Sequence, residues 1–200
     1  MHISEGVLGG GVLAAGAALA VAGVAMGLKK MDYDRLPQVA ILAAAFFVAS
    51  LISVPIGPAK AHLVLNGLLG LLLGWGIFPA LLVALALQAV LFQFGGLTTL
   101  GVNTFNMALP AFGCYLLLGG LTRNGGSRLP MAAGFLCGFL SVGGSALLVA
   151  ATLTTAGQEF STMARLVVLA HLPIMVLEGV ITAATVGFLR RVRPAMLGMA

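Results

Sequence analysis

Charged residues are scarce in this chain. Only 10 of its 200 residues are Lys or Arg and 5 are Asp or Glu, so charged side chains make up 8%, against roughly 25% in a soluble globular domain. Hydrophobic residues make up 60% of the chain, and the mean hydropathy is +1.14. This composition excludes an ordinary soluble domain and predicts that residues 1–200 form a single integral-membrane domain in a lipid bilayer.

Several catalytic and nucleotide-binding motifs are missing. There is no G-x-x-x-x-G-K-[ST] phosphate loop, so the chain cannot itself use ATP by that route. H-E-x-x-H and G-x-S-x-G are also missing, which weighs against a zinc peptidase and against a serine hydrolase. Cysteine is rare, with only Cys114 and Cys137, and both fall inside apolar runs. We interpret them as small buried hydrophobic residues rather than as a disulfide or a metal site.

The apolar runs predict an all-α, polytopic membrane helix bundle. A membrane helix needs about 20 apolar residues, so the length allows six or seven spans. We predict seven helices, at residues 6–28, 37–54, 62–75, 78–94, 107–121, 130–153 and 163–189. The polar, glycine-bearing stretch before the fifth helix predicts a re-entrant or surface loop.

The distribution of basic residues predicts the orientation of the bundle. With the N-terminus outside and the C-terminus in the cytoplasm, eight of the ten basic residues fall on the cytoplasmic side: Lys29, Lys30, Arg35, Arg123, Arg128, Arg190, Arg191 and Arg193. Such a bias is what membrane insertion produces. The net charge of +5 is therefore a topology signal, and we expect no nucleic-acid partner because no clustered basic face is present.

The first two residues carry the most distinctive chemistry. The α-amine of Met1, the amide nitrogen of His2 and its imidazole can wrap one metal ion in fused chelate rings, and nitrogen ligands suit Ni(II), Cu(II), Co and Zn. His62 is the natural fourth nitrogen, with His171 as the next candidate. The alternatives are an incidental polar residue near a frayed terminus for His2 and a solvated interfacial histidine for His62.

Other polar residues are candidates for an outer shell or a path. Thr99, Asn103 and Asn106 fall in the predicted loop, which would line a cavity and orient the ligands. Glu178 is the acidic residue inside an apolar span, and such a carboxylate is a functional hypothesis by default. It shares a helix face with His171. The alternative is a buried Glu178 satisfied by hydrogen bonds that hold the bundle together.

Three segments together resemble one transporter family. The start Met1-His2-Ile3-Ser4-Glu5-Gly6, the run from Leu87 to Met107, and the segment from His171-Leu172-Pro173 to Glu178-Gly179 resemble the cobalt and nickel members of the energy-coupling-factor transporters. The resemblance covers nearly the whole chain. It implies the CbiM/NikM family, the membrane-embedded substrate-capturing component, in which the metal would be held by Met1, His2 and His62 with Thr99 and Asn103 in the loop over the site.

The resemblance also implies partners and a location. The partners would be a transmembrane coupling subunit, a small accessory membrane subunit and cytoplasmic ATP-binding-cassette ATPases. The location would be the cytoplasmic membrane of a bacterium or archaeon, and no cofactor beyond the transported Co(II) or Ni(II) is expected. Two other classes stay open from the residues alone: an intramembrane metallohydrolase using His2, His62, His171 and Glu178, and a metal-free scaffold or small-molecule channel.

Overall fold

The computed structural model describes residues 2–56, 59–123 and 128–199, which form an all-α bundle with one short β-hairpin. The helices are α1 (Gly10–Lys30), α2 (Leu36–Ala49), α3 (Asn66–Leu73), α4 (Ile77–Phe92), α5 (Leu100–Arg123), α6 (Arg128–Thr154) and α7 (Ser161–Val192). Strands β1 (Ser53–Ile56) and β2 (Ala59–His62) are antiparallel, in a register that pairs Ser53 with His62.

Five stretches within the described ranges are long and apolar enough to cross a membrane. They are α1, the stretch Asn66–Phe92 that contains α3 and α4, then α5, α6, and the stretch Gln158–Val192 that contains α7. The predicted multi-pass helical membrane architecture is thus confirmed. Both cysteines are buried and free, as expected from the apolar runs around them.

The second and third predicted helices are shorter than the sequence suggests. Helix α2 has 14 residues and α3 has 8, which is about 21 Å and 12 Å at 1.5 Å per residue, against roughly 30 Å of hydrocarbon. The predicted helix at 37–54 is wrong beyond Ser50, because Pro55 favours an extended chain before it and β1 forms instead. The predicted helix at 62–75 is helical only from Asn66, since His62 ends β2.

Helix α3 lies at the centre of the bundle, and seven of its eight residues are buried. Two glycines allow its neighbours to approach. A Cβ at Gly67 would lie 2.7 Å from the Cys137 carbonyl oxygen on α6, and one at Gly70 would lie 2.5 Å from the Ala111 carbonyl oxygen on α5. Small residues permit such close packing of membrane helices, so α3 is wedged between α5 and α6.

The predicted loop before the fifth helix is also partly helical, which corrects the expectation for Asn103 and Asn106. Helix α5 begins at Leu100 and includes both residues. Gly101 does not form a turn. It allows α5 to pack closely against α1, because a Cβ at this position would lie 2.6 Å from Ala17 Cα. The actual connection from α4 is only residues 93–99, with Gln93 and Gly95 at positive φ.

The two ends of the bundle differ in chemistry. At one end, Lys30 at the close of α1 lies over Trp75, just before α4, and Arg190 on α7 donates to the carbonyl oxygen of Thr122 on α5. At the other end, the residues before α1 meet the start of α5. We call these the basic end and the histidine end, and the first and last described residues lie at opposite ends.

Candidate metal-binding site

The segment before α1 is held against the start of α5 by the side chain of Asn103. The Ile3 N–H donates to Asn103 Oδ1 at 3.0 Å, and Asn103 Nδ2 donates to the Ile3 carbonyl oxygen at 3.1 Å. The Thr99 hydroxyl donates to the same carbonyl oxygen at 2.9 Å. Ile3 is 2% exposed, so the residue next to His2 has both backbone groups satisfied by side chains and is fixed in position.

A second contact ties the same segment to the connection between α4 and α5. Glu5 Oε1 accepts the N–H of Thr98 at 3.0 Å, and this hydrogen bond lowers the pKa of Glu5. Gly96 makes room for the carboxylate, because a Cβ there would lie 1.9 Å from Glu5 Cγ. Sequence reasoning missed this role, although Glu5 belongs to the opening motif that carries the family resemblance.

His2 and His62 face each other at this end. Their rings are stacked with centroids 5.0 Å apart and planes 16° apart, and the ring of Phe94 also stacks on His2, with centroids 6.3 Å apart. Burial lowers the pKa of both histidines, that of His2 well below its ordinary value and that of His62 to about 3. Both imidazoles are therefore neutral near pH 7, the state that binds a metal.

The tautomer of His62 follows from its backbone contact. His62 Nδ1 lies 2.9 Å from the carbonyl oxygen of Leu63. A carbonyl can only accept, so Nδ1 carries the proton and the lone pair of the neutral ring is on Nε2. Metal-bound histidines are commonly oriented by such a bond from the other ring nitrogen.

His171 belongs to the same end of the bundle. A cavity of about 300 Å³ is lined by His2, Ile3 and Val7 and by residues of α6 and α7 that include Leu153 and His171. Nδ1 of His171 lies 2.7 Å from the Val167 carbonyl oxygen, which leaves the lone pair on Nε2. The Nε2 atoms of His2 and His171 are both buried without a hydrogen-bond partner among the described residues.

Glu178 and Asn106 lie further inside the bundle, where they connect structural elements. The carboxylate of Glu178, which is 0% exposed, accepts the N–H groups of Val64 and Leu65 at 2.5 and 2.8 Å. These peptide groups connect β2 to α3, so Glu178 holds the chain just after His62. Asn106 donates to the Thr152 hydroxyl at 3.1 Å and links α5 to α6, rather than contacting the segment before α1.

The predicted site residues thus fall into two groups. His2, His62, His171, Thr99 and Asn103 come together at the histidine end, whereas Asn106 and Glu178 do not face the histidines directly. Met1 lies outside the described residues. Across residues 2–56, 59–123 and 128–199, no three His, Cys, Asp or Glu side chains gather into a metal-ligating group. The side chains that do meet are the imidazoles of His2 and His62. Imidazole is a ligand for first-row transition metals.

The fold is that of a multi-pass helical membrane protein, and His2 and His62 lie together at one end of its bundle. Residues 2–196 match the family model CbiM, described as the cobalt uptake substrate-specific transmembrane region. The chain belongs to this family. The resemblance seen in its sequence motifs is therefore confirmed.

Known proteins of the same kind are similar over nearly the full chain. A Haemophilus influenzae protein named for metal transport is 41% identical, with 98% of this chain and 97% of that protein covered. The cobalt transport protein CbiM of Sorangium cellulosum is 37% identical, with 98% and 94% covered. A crystal structure titled as a transition metal transporter matches with a TM-score of 0.75 at 27% identity, covering 96% and 93%. The chain therefore belongs to a family whose members are named as metal transport proteins, which are transporters and not enzymes.

Proposed function

We propose that this chain captures Co(II) or Ni(II) at the histidine end of the bundle for an ATP-driven importer of the energy-coupling-factor type. The observation that carries the proposal is the stacked pair of neutral histidines, His2 and His62, held with ring centroids 5.0 Å apart. His2 is fixed through Ile3 by Asn103, and His62 is fixed through the chain that Glu178 holds. These contacts hold the two rings opposite each other.

The proposed ligands are four nitrogens. His62 supplies Nε2, and His2 supplies its imidazole and its own amide nitrogen, with the α-amine of Met1 as the fourth donor. Nitrogen donors in a tetragonal array suit Ni(II), and imidazole also suits Co(II). Two ligating side chains are enough in this scheme because the backbone provides the other two nitrogens.

The surrounding residues have separate tasks in this proposal. Thr99 and Asn103 clamp Ile3 and so orient His2, which is the work of an outer shell around a metal. His171 lines the cavity beside His2 and lies on the path of the ion. Asn106 and Glu178 hold α5, α6 and the β2–α3 connection in place.

We further propose seven membrane crossings, with the histidine end outside and the basic end in the cytoplasm of a bacterium or archaeon. The third crossing runs through α3, and α4 then returns to the histidine end. The positions of Lys30, Arg35 and Arg123 at the basic end support this orientation.

Partners supply the energy in this proposal. The chain has no phosphate loop, so cytoplasmic ATP-binding-cassette ATPases would hydrolyse ATP and a transmembrane coupling subunit would transmit the movement. A small accessory membrane subunit completes the complex. Uptake by this chain is therefore expected only when it is produced together with those subunits.

The test is calorimetric titration of the purified protein with Ni(II) and with Co(II) at fixed pH. His62→Ala removes a proposed ligand and should weaken binding by more than the roughly 10- to 100-fold that loss of an outer-shell partner causes. His171→Ala is the matched control, since it removes an imidazole from the same end but no proposed ligand. Unchanged affinity in His62→Ala would contradict the proposed ligand set, and a loss in His171→Ala alone would move the fourth ligand there.

A further inference from the structure

A second cavity lies at the basic end, away from the histidines. Its volume is about 190 Å³, and it is enclosed by the end of α1, the junction of α3 and α4, the end of α5 and the short helical turn Pro194–Leu197. Three basic side chains line it, those of Lys30, Arg35 and Arg123, and Asp32 is the acidic residue in the lining. No residue of the candidate metal site contributes to this cavity.

The basic side chains of this cavity contact neutral groups. Lys30 Nζ lies 4.5 Å from the centre of the Trp75 ring, and Arg123 Cζ lies 5.8 Å from the centre of the Tyr115 ring. Arg35 donates to Gln38 Oε1 at 3.2 and 3.1 Å and to the Leu72 carbonyl oxygen at 3.5 Å. These contacts orient the three cations without neutralising their charge.

From this cavity we infer a binding site for the phosphodiester headgroup of an anionic membrane lipid. Three cations against one carboxylate favour an anion, and arginine forks match phosphate oxygens. Basic pockets between membrane helices on the cytoplasmic side take lipid headgroups, and Trp75 and Tyr115 are residue types enriched at the membrane surface. The cavity volume of about 190 Å³ is large enough for a phosphate group.

The site does not depend on metal capture. It requires only that the basic end lies at a membrane surface. Free phosphate shares the recognised chemistry, so an experiment must separate the lipid from the free ion. What a lipid adds is a chain anchored beside the cavity, which keeps the headgroup at a high local concentration.

Native mass spectrometry of the purified protein provides the test, with phosphatidylglycerol or phosphatidylcholine added to the micelles. We expect one phosphatidylglycerol to be retained and phosphatidylcholine to be lost. Lys30→Gln and Arg123→Gln should each lower retention about fivefold, the effect of one cation at a charged membrane surface. Lys29→Gln and Arg191→Gln remove the same charge from exposed positions at the same end outside the cavity, and they should retain the lipid.

Ni(II) titration of all four variants separates this inference from the proposed function, because the metal site is at the other end and its affinity should not change. Lys30 is exposed at the end of α1, so Lys30→Gln is expected to fold even if Arg123→Gln does not. Equal losses in Lys29→Gln and Lys30→Gln would overturn the site, and so would equal retention of phosphatidylcholine. Displacement of the lipid by inorganic phosphate alone would overturn the assignment to a lipid.

Discussion

At the scale of single residues, the amide of Asn103 does what a neighbouring strand would do for a peptide. It accepts from the N–H of Ile3 and donates to its carbonyl oxygen. An N-terminal segment is poorly ordered unless something ties it down. The clamp therefore converts an otherwise frayed end into a fixed one and gives His2 a defined position opposite His62.

Replacement of Asn103 tests this clamp. Asn103→Ala removes both contacts to Ile3, so His2 should lose its orientation and the affinity for Ni(II) should fall roughly 10- to 100-fold, as for other outer-shell partners. The matched control is Asn106→Ala, three residues away on α5, which loses only its bond to Thr152. Titration and thermal unfolding should show reduced affinity in the first variant, and reduced stability with normal affinity in the second. Equal affinities in the two variants would argue against the clamp.

The histidines make docking of the segment before α1 depend on pH. Burial lowers the pKa of His62 to about 3, whereas an unperturbed histidine has a pKa of about 6.5. The ring of His62 is covered by His2 of this segment, so between these values the protein binds more protons when the segment is undocked, and docking weakens as the pH falls below about 6.5. Glu5 has a lowered pKa too, but its contribution is lost only below about 4.5 and stays constant above pH 5.

Hydrogen exchange of the Ile3 amide between pH 5 and pH 7.5, corrected for the intrinsic rate, measures this effect. Protection should rise with pH in the native protein and should rise less in His62→Ala, which removes one of the two titrating groups and the repulsion between them. A protection factor that does not change with pH in the native protein would mean that the histidines are not buried in solution.

Much of the site was visible in the sequence at this scale, and the reasons for the failures are physical. The placement of His2 and His62 at one end followed from helix counting and charge bias. In the sequence Glu5 stands out only as part of the opening motif, because its hydrogen-bond partner is a backbone N–H 93 residues away. No local sequence pattern predicts a contact between residues so far apart in the chain.

At the scale of elements, sequence analysis missed the β-hairpin and the start of α3 at Asn66. Apolar residues run almost without interruption from α2 to α4, and in such a run helix and buried strand have the same composition. What decides the structure is the tertiary context. Pro55 favours an extended chain before it, and the carboxylate of Glu178 satisfies peptide groups that a continuous helix would have satisfied itself.

The polar residues at and just before the start of α5 led to a wrong prediction for a related reason. Thr99, Asn103 and Asn106 predict a loop when their hydrogen-bond partners are unknown, because buried polar groups need partners. In the structure Ile3 satisfies the first two and Thr152 satisfies the third. The helix could therefore extend through a polar stretch.

Substitution of Glu178 tests its role at the start of α3. Glu178→Leu leaves two buried N–H groups without an acceptor, at about 1–3 kcal/mol each, so the unfolding temperature should drop clearly. Glu178→Gln keeps an oxygen acceptor and should lower the unfolding temperature less. Glu159→Gln, at an exposed position, is the control and should behave like the native protein. If Glu178→Leu unfolds at the native temperature, the carboxylate does not hold the β2–α3 connection.

At the scale of the whole molecule, the bundle separates two chemistries across its length. The histidine end presents neutral nitrogens, and the basic end presents Lys30, Arg35 and Arg123 around a cavity. The sequence predicts such a separation from the positions of its basic residues, which membrane insertion distributes unequally between the two sides of the bilayer. Both ends are built from elements distant in sequence, so neither geometry could be derived before the fold was known.

The position of the two chain ends leads to a prediction about tags. If the α-amine of Met1 is a ligand, the site depends on that amine as well as on side chains. A Gly-Ser pair placed before Met1 leaves every side chain unchanged but converts the amine into an amide, which is a poor ligand unless it loses its proton. Acetylation would likewise remove its charge and basicity. We expect the extended protein to lose Ni(II) affinity in titration and to lose uptake in cells that also produce the partner subunits.

A C-terminal Gly-Ser extension of the same length is the matched control, because Met196, Leu197 and Gly198 line the cavity at the basic end, on the far side of the bundle from His2. It should leave Ni(II) affinity and uptake at the native level. Expression and thermal stability of the two proteins must be equal, since an extension before Met1 could also disturb insertion. If the N-terminally extended protein is equally stable and binds Ni(II) as tightly as the native protein, the amine is not a ligand, and the metal is held by His2 and His62 with another donor.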